Sequence, residues 1–360
     1  MNIDLFYNFK QSFFVFVTAV ITSYFFVFPI NNFGFKYGLI DRIDSRKEKR
    51  KNIVRVGGLS IVAGCFLSFF IFLFISEKNI ESQLFGLFLS SLVFYLIGLL
   101  DDIYSIKPVK RLVFQISYSI FLWKYINFLD FPFFSFFLEK NTNFIILTLS
   151  LIFSVIWISG VTNAINWLDG MDGLASSVSL VIFIGLFFIF SFLGLGQYAI
   201  YTVAIAGGCY GFLFHNYKPA FIIMGDGGAY FLGFNLATLS LIAANQLSLQ
   251  KQFYSIHFFN FLPFILLAVP ILDMFVVIIK RISNSQSPFQ ADRKHLHHKL
   301  LQIGFSYKKT LSIMIILNVI FLIFTFILIS RYDYLLACLS LFLILNFIIQ
   351  FSVKLNKNNT

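Results

Sequence analysis

Five short segments carry most of the groups that could do polar chemistry in this chain. Gly98-Leu99-Leu100-Asp101-Asp102 sets two carboxylates side by side. Adjacent carboxylates at an apolar boundary repel each other and lose hydration. A divalent cation or a cationic side chain would relieve both costs. The plainer alternative is a solvated helix end, although acids at a helix C-terminus oppose its dipole.

Asn163-Ala-Ile-Asn166-Trp-Leu-Asp169-Gly-Met-Asp172-Gly173 repeats a polar residue every third position. A helix through this stretch would place Asn163, Asn166, Asp169 and Asp172 on one face. Two amides and two carboxylates suit the polar edges of a nucleotide or a hydrated Mg²⁺; a polar loop of Asx turns is the alternative. Met224-Gly225-Asp226-Gly227-Gly228 follows Phe214-His215-Asn216-Tyr217-Lys218-Pro219. Glycines around one Asp can expose backbone N–H groups and form a phosphate and metal cradle, or simply a tight turn. Asp292-Arg293-Lys294-His295-Leu296-His297-His298 groups cations with histidines. That composition fits an anion site. The rival readings are zinc, which needs further ligands at matching spacing, and a basic loop on anionic lipid heads. The fifth segment runs from Asp41-Arg42-Ile43-Asp44 through the basic run 46–51 to Arg55-Val56-Gly57-Gly58. Its cations either recruit an anionic substrate or set membrane topology.

These segments lie between apolar runs. The 360 residues are 59% hydrophobic and only 12% charged, against roughly a quarter charged in soluble domains. Lipid must be the solvent for most of the chain. The expected fold is all-α and polytopic, with about eleven transmembrane helices near 11–30, 54–75, 84–100, 112–129, 144–162, 174–193, 197–215, 228–246, 259–280, 310–329 and 333–352. The 52 phenylalanines match a general bias toward Phe, Ile, Asn and Lys and carry no function of their own. Cys65, Cys209 and Cys338 all fall in apolar runs without metal spacing, so no disulfide is expected. The N-terminal apolar run is long enough to span and reads as a retained first helix rather than a cleaved signal.

Eleven spans put the termini on opposite sides. Loops 31–53, 101–111, 163–173, 216–227, 281–309 and the tail 353–360 hold nineteen lysines and arginines, against five in the opposite set. Positive residues favour the cytoplasmic side, which places the N-terminus outside and the C-terminus in the cytoplasm. All five polar segments then gather at the cytoplasmic face, in one transmembrane catalytic domain whose site is built from loops 31–53, 101–111, 163–173, 216–227 and 281–309. The net charge of +11 is explained by topology, and no nucleic acid is expected as a partner. Asp273 follows Pro270 inside the ninth span, where an acid is either functional or paired; a partner such as Lys280 or a loop cation would make it structural, and both roles stay open. Lys124 reads as a snorkelling side chain.

In their order and shared face, the segments resemble the polyprenyl-phosphate N-acetylhexosamine-1-phosphate transferase family, from about Asp41 to His298. The likeness rests on Asp101-Asp102, the run from Asn163 to Gly173, Met224-Gly225-Asp226, and the His-Leu-His-His segment ending at His298. That last segment is similar to the branch that initiates O-antigen, common antigen or teichoic acid linkage. The peptidoglycan branch typically has three consecutive histidines. The chain departs from the family after Asp226, where Gly227-Gly228-Ala229 replaces the usual Thr-Gly-Ser and loses both hydroxyls.

The resemblance implies transfer of N-acetylhexosamine-1-phosphate from a UDP-sugar to polyprenyl (undecaprenyl) phosphate, with release of UMP. Such a step starts lipopolysaccharide or cell-wall glycan synthesis at the bacterial cytoplasmic (inner) membrane. It also implies Mg²⁺, with Mn²⁺ as a substitute, held by Asp226 and Asp101. Asp101, Asp102, Asp169 and Asp172 would be catalytic; Asn163, Asn166, Arg293, His295, His297 and His298 would bind substrate. The expected partners are the UDP-sugar, the lipid carrier and membrane lipid, and a homodimer is compatible with the sequence. The alternative function is an ion-coupled transporter. Transporters, however, place ionisable groups near the midplane and show internal repeats, which this chain does not.

Overall fold

The structure, a computed structural model, describes residues 3–41, 52–125, 143–249, 261–288 and 294–331. Among these the only regular structure is helical, apart from one isolated antiparallel bridge between Ile40 and Val54. The helices are α1 (Ile3–Lys36), α2 (Gly58–Ser76), α3 (Ser82–Tyr104), α4 (Pro108–Tyr125), α5 (Asn143–Leu168) and α6 (Leu174–Phe192). They continue as α7 (Gly196–Asn216), α8 (Gly225–Leu249), α9 (Leu262–Leu266), α10 (Ala268–Ser283), α11 (Leu296–Gln302) and α12 (Tyr307–Arg331). Backbone groups cannot find water in hydrocarbon, so spanning segments satisfy them internally as helices.

Seven described helices, α1, α2, α3, α5, α6, α8 and α12, are long and apolar enough to cross a membrane. The chain is a multi-pass membrane protein. The segments read as fourth, seventh and ninth spans are helical but fall outside that set, and the eleventh, 333–352, lies outside the described residues. The expected ninth span is not one helix. It divides at Leu267 into α9 and α10, because Pro270 has no N–H to give the carbonyl of Leu266.

The chain divides into two compact units, residues 1–243 and 244–360. In the first, α8 is the central element. It is buried along its whole apolar stretch, whereas α1 is mostly exposed and turns Phe9, Phe13 and Phe25 outward. Four neighbours grip α8 through specific contacts. Phe66 of α2 packs edge-on to Phe231 with ring centres 5.8 Å apart, and Phe94 of α3 stacks on Phe234 at 4.4 Å. From α5, Trp157 donates to the Ala237 carbonyl at 3.2 Å; from α7, the Tyr201 hydroxyl donates to Asn235 at 2.8 Å. α1, α2 and α7 pack on one another, as do α3 with α4 and α4 with α5. In the second unit, α9, α10 and α11 all pack on α12. Cys65 and Cys209 are buried free thiols, as expected.

Candidate active site

Backbone pairing builds the floor of the site. The segment 53–58 is held on one side by Asp41 N–H donating to Ile53 and Arg55 N–H donating to Leu39, at 2.8 and 3.1 Å. On the other side Gly57 N–H donates to Ile223 and Gly58 N–H to Met224, at 2.9 and 2.8 Å. This clamp delivers Arg55 and the start of α8 to the same place. Gly225 makes the join possible: its φ is +75°, and a Cβ there would lie 1.9 Å from the Arg55 carbonyl oxygen. No L side chain fits such a position.

Three carboxylates and two guanidinium groups meet at this join. Asp101 and Asp102 are successive residues on α3, so they point in different directions and find different partners. Asp102 turns to the first turn of α8. Its oxygens accept from the N–H groups of Asp226 and Gly227 at 3.0 and 3.1 Å and pair with Arg55 at 2.7 Å. It therefore caps α8 from another helix, satisfying two donors that the helix itself leaves unpaired. Asp101 instead pairs with Arg111 of α4. Asp226 lies between the two arginines, 3.4 Å from Arg111 and 3.6 Å from Arg55, and its second oxygen accepts from the Asn166 amide at 2.7 Å. Burial works against the charge on Arg55, but Asp102, Asp226 and Asp41 outweigh it and raise its pKa above the usual arginine value.

The expected single polar face from Asn163 to Asp172 does not form. α5 ends at Leu168, and Asp169 and Asp172 lie in the turns that follow. Asn166 reaches the carboxylates, but the Asn163 amide donates to Gln115 of α4 and to the Ser159 carbonyl one turn earlier, both at 2.7 Å. Asp172 is buried and accepts from Ala220 N–H at 3.4 Å, while Asp169 is half-buried. Asn216, buried to 1% exposure, ties the same region together. It accepts from Gly173 N–H at 2.8 Å and donates to the Ile222 carbonyl at 3.0 Å.

In the second unit Asp273 has found its partner, and it is His295 rather than Lys280. One Asp273 oxygen is 2.8 Å from His295 Nδ1 and the other accepts from Leu296 N–H at 2.7 Å, holding the start of α11. His297 is fully buried. Burial, reinforced by His298, pushes its pKa down to about 3 despite the opposing charge of Asp273. It is thus neutral at pH 7. Arg293 and the basic run 46–51 lie outside the described residues.

Two contributors escaped the sequence reading. Arg111 entered only as a loop charge, and Arg55 only as one of several cations. The signal that could have found Arg111 is its place one short loop beyond the acidic pair. Among the described residues no three acidic, histidine or cysteine side chains are arranged to hold a metal by themselves. Mg²⁺ characteristically takes one or two carboxylates and completes its shell with water and substrate phosphates. The charges here fit that habit: when all are ionised, three carboxylates face two guanidinium groups, leaving one negative charge uncompensated.

A partly buried carboxylate–arginine centre thus lies at the end of apolar helices in a multi-pass membrane protein. Residues 84–244, which contain Asp101, Asp102, Arg111, Asn166 and Asp226, match the model of glycosyl transferase family 4. The chain is 30% identical over 321 residues to the probable undecaprenyl-phosphate N-acetylglucosaminyl 1-phosphate transferase of Bacillus subtilis, covering 85% of this chain and 82% of that protein. It is also 30% identical to a decaprenyl-phosphate N-acetylglucosaminephosphotransferase of Mycobacterium tuberculosis, over 82% of this chain and 77% of the relative. Identity to the undecaprenyl-phosphate alpha-N-acetylglucosaminyl 1-phosphate transferase of Escherichia coli K12 is 29%, over 79% and 75%. The chain belongs to this family of polyprenyl-phosphate N-acetylglucosamine-1-phosphate transferases.

Proposed function

We propose that the protein transfers N-acetylhexosamine-1-phosphate from a UDP-sugar to a polyprenyl phosphate, with undecaprenyl phosphate as the carrier. The observation that carries this reading is the partly buried cluster of Asp101, Asp102, Asp226, Arg55 and Arg111. An oxygen of the lipid phosphate attacks the sugar-bearing phosphorus of the donor. The bridging P–O bond breaks, and UMP leaves with that oxygen. Both reactants are anionic, so positioning and charge compensation are what the protein must supply.

Arg55 and Arg111 would exchange carboxylate partners for phosphate oxygens, for which the guanidinium fork is well matched. Asp101, released from Arg111, would orient or deprotonate the acceptor phosphate. Asp102 would keep the start of α8 in place, and Asn166 would keep Asp226 oriented. Asp226 and Asp101 would hold Mg²⁺, or Mn²⁺ in its stead, which would screen the phosphate charges. Asp169, Asp172 and Asn163 are assigned to the nucleotide. Arg293, His295 and His298 are assigned to anion binding on their own chemistry, and His297 to a neutral hydrogen bond. The polar segments face the cytoplasm of a bacterial inner membrane, with eleven spans and the N-terminus outside. The relatives named above are transferases, and none favours a transporter.

The test is UMP release by purified protein given undecaprenyl phosphate, Mg²⁺ and a panel of UDP-sugars. Release that requires both lipid and metal supports the reading and names the sugar. A folded protein that releases no UMP with any of the sugars contradicts it.

A further inference from the structure

Tyr230 lies one helical turn beyond Asp226 on α8, so the two share a face. Its side chain is fully buried, yet its hydroxyl has no hydrogen-bond partner. The phenol lies within range of the charges of Arg111, Asp226, Asp101 and Asp102. Nor is it alone there: the Nε of Arg111 is also buried and unpaired, as is the hydroxyl of Tyr95, whose ring borders Gly227. Buried donors are almost always paired, since leaving one unpaired costs about 1–3 kcal/mol. Three such donors around one charged cluster mark a place built for oxygen atoms that arrive from outside. The preceding residues Gly227, Gly228 and Ala229 carry no hydroxyl, so Tyr230 is the first one after Asp226 on this helix.

We propose that Tyr230 is a catalytic hydrogen-bond donor whose phenolic O–H binds a non-bridging phosphoryl oxygen of the substrate held at the Asp226–Arg111 cluster. The ligand class is a phosphate or diphosphate ester. The group is neutral, so it can donate without adding a further charge to a cluster that already holds five. A pre-placed donor of this kind strengthens as charge develops on the phosphoryl oxygens and needs no reorganisation during the reaction. The proposal rests on the transferase reading given above.

Tyr230→Phe removes only the hydroxyl. With the UDP-sugar and undecaprenyl phosphate that support UMP release by the unaltered protein, kcat should fall by roughly 100-fold, the size of effect seen when one such donor is lost. KM should change far less, and the melting temperature should hold or rise, because an unpaired buried hydroxyl contributes nothing to the fold. Tyr198→Phe is the control. Its hydroxyl is also buried and unpaired, but its ring packs on Phe190 with centres 5.4 Å apart at the other end of the helices, and activity should be unchanged. Undiminished kcat in Tyr230→Phe would overturn the proposal, as would a loss of activity matched by an equal loss of thermal stability. Absence of activity in the unaltered protein would instead count against the transferase reading.

Discussion

The two adjacent acids of α3 have different jobs because a helix turns about 100° per residue. Asp102 spends its oxygens on the backbone of α8 and on Arg55; Asp101 faces Arg111. Asp102→Ala should therefore destabilise the protein by about 1–3 kcal/mol, by leaving two α8 N–H groups unpaired, and thermal unfolding in detergent measures this. Asp101→Asn should leave stability near normal and lower turnover; normal turnover would sink its assigned role. In the second unit, His297 sets a pH dependence. Its pKa is about 3 when folded and near 6.5 in an unfolded chain. The unfolded state binds more protons between those values, so stability rises with pH across that window. It is complete above pH 6.5 and is lost progressively as pH falls toward 3. Melting temperatures at pH 5 and 7 should differ less in His297→Gln than in the unaltered protein. The acid pair and Asp226 could be read from sequence because their types and setting were telling. Arg111 was harder to find: it is one of three cations in 101–111, and only its place just beyond the acidic pair separates a partner for buried acids from a topology signal.

At the scale of elements, the site depends on how closely α3 and α8 approach. A Cβ on Gly98 would lie 2.3 Å from the Asp226 carbonyl oxygen. Gly98→Ala must push the start of α8 away from α3, at a cost of about 1–3 kcal/mol, and should reduce turnover more than the stability loss alone explains. Asn216→Ala should act by another route, freeing the Gly173 N–H and the Ile222 carbonyl. The period-3 pattern from Asn163 to Asp172 misled because periodicity says nothing about where a helix stops. Gly170 and Gly173 follow Leu168 closely, and their weak helix propensity lets α5 end between the second and third polar residues. The break at Leu267 was marked by Pro270. The apolar run through it concealed the break, because burial in lipid favours the same residues on both sides.

For the whole molecule, hydropathy gave the class of fold directly, since only helices or closed barrels satisfy backbone groups in lipid. Orientation rests on the asymmetry of loop cations. In a cysteine-free background, Lys107→Cys should be shielded from a membrane-impermeant maleimide in intact cells, whereas Lys78→Cys should be labelled. The reverse pattern would invert the topology and place the carboxylate–arginine centre on the wrong side for a cytoplasmic nucleotide donor. The residues that make that centre come from the loop before α2 and from α3, α4, α5 and α8, which are far apart in sequence. For that reason no single motif foretold how they would combine.

The most direct test of the central claim is the rate of UMP release, dependent on undecaprenyl phosphate and Mg²⁺, by Asp226→Asn beside the unaltered protein. Asp226 is the point at which both arginines and Asn166 converge, and Asn preserves its shape while removing its charge. The expected result is a loss of about 100-fold or more with an unchanged melting temperature. Full turnover in the folded variant would show that the cluster of unit 1 is not where the phosphoryl group is transferred.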